Sequence, residues 1–200
     1  MPTLDWIGKD KVINHHMDVP YRVLDKQYTY GGDKSENMII HGDNLEALKS
    51  LLPKYEGKVK CIYIDPPYNT GNEGNEREGR GVWTWWTNSE VGYTQVATQE
   101  LSAILGKAVF DYPKPVRLIS RIIQMASSDG DIILDSFAGS GTTAHAVLNR
   151  NKEDKSHRKF ILIELGDYAD TITAESVKRV IDGYGEGKSA VEGRIWGLKL

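Results

Sequence analysis

"DIILDSFAGSGTTAHAVLN", Asp131 to Asn149, reads as three things in succession. "DIILDSF" is a short apolar strand, Gly139 and Gly141 make a tight turn, and "TTAHAVLN" continues as a helix. An α/β sheet places a nucleotide-type ligand at such a strand–turn–helix junction, because glycine lets the backbone approach the ligand closely. The helix N-terminus then offers free amides to an anionic group. A phosphate-binding loop would need four residues between its glycines and a lysine before the threonine pair, and neither is present. The three-glycine dinucleotide fingerprint is not complete either, since Ala144 stands where its third glycine belongs. Taken alone, the turn is equally well read as purely structural.

Outward from this stretch the chain repeats the same alternation. "MIIHG" (38–42) is a strand, followed by the helix "DNLEALKSLLP" with Asp43 or Asn44 as its cap and a stop at Pro53. "KCIYID" (60–65) and "KFILIEL" (159–165) are further strands. "QVATQELSAILG" (95–106), "KPVRLISRIIQMASSDG" (114–130) and "TITAESVKRVIDGYG" (171–185) are helices, the second opened by Pro115. Nearly continuous apolar strands alternating with helices predict a parallel sheet covered on both faces. Residues 1–36 show no sustained period and are expected to form an irregular arm laid over a single domain, 37–200.

Several carboxylates fall at strand ends. Glu164 closes "KFILIE" at the edge where such folds keep an acid for ribose hydroxyls. Asp43 is read equally well as an N-cap and as a ligand residue. Asp65 stands in "CIYIDPPYNTG" (61–71), where a buried strand runs into an acid, two prolines and a tyrosine. An exocyclic base amine is a weak nucleophile because its lone pair is delocalised into the ring. Two acceptors, the Asp65 carboxylate and the Pro66 carbonyl, would hold its hydrogens and favour the pyramidal form that attacks. Tyr68 would stack on a base rotated out of the duplex. The competing reading is a polar turn with a packed tyrosine.

"DPPYNTG" together with "DSFAGSGTTA" resembles the amino-methyltransferases of DNA, and the order of the two motifs resembles the permuted β group. Residues 37–74, 110–127 and 157–181 are similar to the modification subunit of type III restriction systems, which methylates adenine N6. The resemblance implies a Rossmann-like α/β fold, S-adenosylmethionine as cofactor, and DNA methylation within a restriction-modification system. It assigns the target amine and base stacking to Asp65, Pro66, Pro67 and Tyr68, with Asn69 beside them. It assigns cofactor binding to Asp43, Asn44, Lys114, Pro115, Asp135, Phe137, Gly139, Gly141, Thr142 and Glu164. Among these, Asp43 would take the adenine, Glu164 the ribose, and Lys114 and Pro115 would line the methionine end. The alternatives are a cytosine-N4 enzyme, or a cofactor-binding remnant that works only with a partner.

The family holds several hundred residues between the catalytic motif and the segment resembling "FDYPKPV", whereas here residues 72–110 stand in their place. The expected sheet is therefore incomplete, with strands ordered "MIIHG", "FILIEL", "IILDSF", "CIYID" and the last at a free edge. "VWTWWT" (82–87) is expected to fold back over that edge, its tryptophans packing rather than stacking on bases. A net charge of −3 gives no general attraction to nucleic acid, so DNA binding by the chain alone is expected to be weak. A restriction subunit or self-association would supply the rest. The histidines show no metal-ligand spacing. A single cysteine, Cys61, excludes an intrachain disulfide, and the apolar runs are too short to cross a bilayer. The expected location is the cytoplasm.

Overall fold

The run "KFILIE" turns almost nothing toward water, for Phe160, Ile161, Leu162 and Ile163 are each 1% exposed or less. A strand buried on both faces belongs inside a parallel sheet. The computed structural model describes residues 7, 9–31, 35–64, 86–185, 191–193 and 198–199. In chain order these form α1 (Lys9–Asp18), β1 (Thr29–Tyr30), β2 (Met38–His41), α2 (Asn44–Tyr55) and β3 (Val59–Tyr63). Next come α3 (Asn88–Val91), α4 (Thr94–Leu105), α5 (Val116–Ala126), β4 (Ile132–Asp135), α6 (Thr142–Asp154) and β5 (Lys159–Glu164). A π-helical turn (Ala169–Ala174) leads into α7 (Glu175–Asp182), and the short β6 (Gly183–Tyr184), β7 (Val191–Glu192) and β8 (Leu198–Lys199) follow.

The main sheet runs β1-β8-β2-β5-β4-β3, and β2, β5, β4 and β3 are parallel throughout. This is the strand order expected from the sequence. Helix α2 covers one face through Ala47 and Leu51, which meet Leu134, Ile161 and Ile163. The other face carries the larger core, where Ile104, Ile119, Ile123, Val147 and Val177 pack on Ile39, Ile133, Phe160 and Leu162. Phe160 lies wholly inside it. Phe160→Ala should lower unfolding stability by about 3–5 kcal/mol, measured by urea denaturation. A loss below ~1 kcal/mol would mean that the core rearranges to fill the gap.

Two local readings need correction. Residues 9–18 form a helix rather than irregular arm. Its Ile13 and Met17 are exposed, so these two mark no buried stripe from which a helical period could be read. It is held at its C-terminal end instead, where the Lys49 ammonium donates to the carbonyls of His16 at 3.0 Å and Met17 at 3.3 Å. The following segment lies along α2 through a two-pronged Arg22–Glu46 pair at 3.0 and 3.2 Å. Second, α2 passes through Pro53 and ends at Tyr55. A proline in the last turn removes a single backbone donor, and Glu56 N still closes the helix on the Leu52 carbonyl at 3.0 Å.

Strand β3 is the last strand of the sheet among the described residues. Cys61 is buried on its core side, where burial pushes its thiol pKa up, while Ile62 and Ile64 are each 59% exposed on the other. Of the "VWTWWT" segment only Trp86 and Thr87 are described, and Trp86 lies against Arg121 of α5, 5.1 Å from ring centroid to guanidinium. Backbone amides of β3 should exchange with solvent well before those of β5, because one edge of β3 has no partner strand among the described residues. Equal protection of the two strands in a hydrogen-exchange experiment would show that edge to be paired.

Candidate functional site

Strands β2, β5 and β4 all end at one edge of the sheet, with His41 in register with Glu164 and Asp135 with Leu162. The turn after β4 is built around Asp135, which is 2% exposed. Its Oδ1 accepts from Phe137 N at 3.0 Å and its Oδ2 from the Thr143 hydroxyl at 2.6 Å. Asp135 was expected among the cofactor residues. Both of its carboxylate oxygens help to fix the shape of the turn. Gly139 and Gly141 both adopt left-handed conformations, φ +53° and +83°. A Cβ on Gly139 would stand 3.3 Å from Phe110 Cζ, and one on Gly141 would stand 3.1 Å from Val177 Cγ2. The glycines therefore serve the protein's own packing as well as any ligand. Gly141→Ala combines backbone strain with crowding and should cost about 1–3 kcal/mol, seen as a lowered thermal midpoint. An unchanged midpoint would contradict this account of the turn.

Helix α6 begins at Gly141 with no side chain capping it, so its first amides face the turn unclaimed by a cap. The π-helical turn reaches the same place, because the Thr173 hydroxyl donates to the Gly139 carbonyl at 2.5 Å. Glu164 is 8% exposed at the end of β5. Its Oε2 accepts from Gly139 N at 2.7 Å and its Oε1 from Gly166 N at 2.9 Å, while its own carbonyl receives Gly42 N at 2.9 Å. The carboxylate thus ties the Gly turn to the loop after β5, and the Glu164 carbonyl adds the end of β2 to the same edge. Beside it Leu165 is an exposed apolar side chain.

Asp43 caps α2, its Oδ1 accepting from Leu45 N at 2.9 Å and Glu46 N at 3.1 Å. Of its two readings, the cap is observed. Asn44 is the first residue of that helix. Together with His41 and Gly42, Asp43 borders a groove that runs under the arm segment Arg22–Tyr28. Pro115 caps α5, and Val116 N donates to Glu100 Oε2 at 3.3 Å. Lys114 lines a narrow cleft with Glu100, Pro113, Ser140, Thr142 and His145, so it is brought to the mouth of the Gly turn. Within that mouth the Ser140 and Thr142 hydroxyls lie 3.1 Å apart. Asp65, Pro66, Pro67, Tyr68 and Asn69 lie outside the described residues. Strand β3, which leads into them, ends at the same edge, with Tyr63 opposite Asp135. Among the described residues no three His, Cys, Asp or Glu side chains converge as a metal site would need, and no helix is long and apolar enough to cross a membrane.

Comparison with known proteins adds the decisive observation. A profile of a family described as DNA methylase matches residues 74–175, just over half of the chain. The chain belongs to this DNA methylase family. The matched region holds Lys114, Pro115, the Gly turn and Glu164. Among curated relatives, the type III restriction-modification enzyme StyLTI Mod subunit of Salmonella typhimurium is 42% identical over 85 residues, 42% of this chain and 13% of that protein. The type II methyltransferase M.KpnI of Klebsiella pneumoniae is 47% identical over 83 residues, 42% of this chain and 20% of its own. The type III restriction-modification enzyme EcoPI Mod subunit of Escherichia phage P1 is 45% identical over 71 residues, 36% of this chain and 11% of its own. The part of each relative that this chain matches thus spans a fifth of that relative's length or less.

Sequence reasoning missed Ser140, Thr143, Thr173, Phe110, Tyr168 and Glu100, which shape or border the site. Thr143 lies between the second glycine and the helix, where the sequence alone gives it no role. Its hydroxyl bond to Asp135 is the reason a threonine stands there.

Proposed function

We propose that this chain is the cofactor-binding part of an S-adenosylmethionine-dependent DNA methyltransferase acting on adenine N6, of the kind found as modification subunits in restriction-modification systems. The observation that carries the reading is Glu164, a buried carboxylate held between Gly139 N and Gly166 N at the edge where the sheet's strands end. The residues fit the cofactor. The carboxylate suits a ribose diol, the uncapped start of α6 suits a carboxylate group, and Leu165 gives a planar base an apolar face. Lys114, Ser140 and Thr142 would meet the amino-acid end, with Pro115 fixing the start of α5 behind Lys114 and Phe137 beside the turn. Asp43 and Asn44, next to the end of β2, would border the adenine.

When bound, S-adenosylmethionine supplies a methyl group on a positively charged sulfur, and the remaining work belongs to the protein. The Asp65 carboxylate and the Pro66 carbonyl accept the hydrogens of the target amine, freeing its lone pair for attack. Pro67 keeps that backbone rigid, and Tyr68 stacks on the flipped base. Transfer would be direct, with no covalent enzyme intermediate: the N–C bond would form as the methyl–sulfur bond breaks to leave a neutral thioether, and the amine would give up one proton through the acceptors that hold it to solvent. The domain reading assigns 1–36 to an arm, 37–200 to the methyltransferase and 72–110 to a shortened replacement of the central and target-recognition region.

The edge of β3, which has no partner strand among the described residues and beside which Ile62 and Ile64 are exposed, favours a second element: methylation of duplex DNA that depends on a partner, whether a restriction subunit or another copy of the chain. Labelled methyl transfer to unmethylated duplex DNA, followed by digestion to nucleosides, tests the reading. N6-methyladenine is expected, in larger yield when a partner is added. Label in N4-methylcytosine would move the chain to the sister activity.

A further inference from the structure

Helix α4 carries one acid, and it stands on the face turned to the core. Glu100 lies three residues after Ala97 and four before Ile104, both buried, and so shares their side of the helix. A carboxylate among core side chains costs desolvation unless it finds donors. Its Oε2 accepts from Val116 N, the first amide of α5, at 3.3 Å. Pro115 brings no side-chain cap to that helix, so Glu100 fills the place. A glutamine would do this equally well, because its amide oxygen also accepts. One long bond leaves most of the carboxylate's about four acceptor positions for another donor. The negative charge suits a cation there.

Glu100 borders the narrow cleft that also holds Lys114, Ser140, Thr142 and His145. The cleft combines two polarities. Lys114, the Ser140 and Thr142 hydroxyls, and the uncapped amides that open α6 all suit an anionic group. Glu100 is a negative charge in the same cleft. A simple anion would meet repulsion from Glu100, and a simple cation repulsion from Lys114. A group with both charges on neighbouring atoms fits, and an α-amino acid end is such a group. We propose that Glu100 receives the ammonium of the cofactor's amino-acid end, so that the cleft selects a zwitterion and fixes which way round it sits. The inference rests on the reading that places S-adenosylmethionine at this edge of the sheet. With the ammonium on Glu100, the carboxylate of the ligand is left to Lys114 and the start of α6.

The test is calorimetric titration of the full chain with two ligands, S-adenosyl-L-homocysteine and its analogue lacking only the α-amino group. Glu100→Gln keeps the size of the side chain and an acceptor for Val116 N, so the thermal midpoint should hold. It should bind S-adenosyl-L-homocysteine roughly ten- to a hundredfold more weakly than the wild type, the scale of one hydrogen bond between charged groups. The deaminated analogue should bind the variant at least as tightly as it binds the wild type, because no ammonium is there to be lost. Equal weakening of both ligands would show Glu100 acting only through the start of α5, and that overturns the proposal. Unchanged affinity for S-adenosyl-L-homocysteine overturns it too. Failure of the underlying reading looks different: a wild type without saturable heat, or a Glu164→Ala variant that binds as well as wild type, removes the cofactor from this edge altogether.

Discussion

Asp65→Ala should abolish methyl transfer while leaving cofactor affinity within about threefold of wild type. The contact it removes is made to the amine as its nitrogen becomes pyramidal and develops charge. Losing one such acceptor in a water-excluded site costs on the order of 10³ in rate, about 4 kcal/mol of transition-state stabilisation. Cofactor binding belongs to groups at the ends of β2, β4 and β5, so it should be spared. Turnover and affinity followed on one preparation separate the cases. A variant that loses both together would mean that Asp65 supports the cofactor site or the fold. The same substitution in a duplex already methylated at adenine N6 should change nothing, since no acceptor amine with two hydrogens remains there.

Glu164→Ala should weaken S-adenosylmethionine binding by about 100-fold or more, because each hydrogen bond to a charged group is worth about 1.5–3 kcal/mol. Alanine also leaves Gly139 N and Gly166 N without their acceptor, so stability should fall by about 1–3 kcal/mol as well. Glu164→Gln separates the two effects. It keeps the size and one acceptor oxygen, so it should retain more of the stability while still losing most of the affinity. If Glu164→Gln bound the cofactor as wild type does, the carboxylate would be a structural tie between the Gly turn and the loop after β5 and nothing more.

The parallel order β2-β5-β4-β3 was legible because its strands are short, apolar and separated by helices with clear stripes. Ile119 and Ile123 on α5, and Leu101, Ile104 and Leu105 on α4, are buried as the spacing predicts. Helix α1 was hidden because it is held by Lys49 and leaves its Ile13 and Met17 exposed. The Pro53 stop failed because a proline near a helix end breaks too little to end it. At the site, the glycines and Glu164 could be read from their places after strands. Asp135 could be placed but its job could not. Its partners Phe137 N and Thr143 become neighbours only when the turn closes. Phe110 and Tyr168 come from segments 58 positions apart, and nothing in either segment signals that the rings meet over Gly139 and Gly166.

The most direct measurement of the central claim is a crystal structure of the chain with S-adenosyl-L-homocysteine bound. The account predicts the ribose hydroxyls within roughly 2.6–3.2 Å of the Glu164 carboxylate. It also predicts the amino-acid end at the start of α6 beside Lys114. A ligand seated elsewhere, or a Glu164 carboxylate still held only by Gly139 N and Gly166 N with the ligand in place, would contradict it.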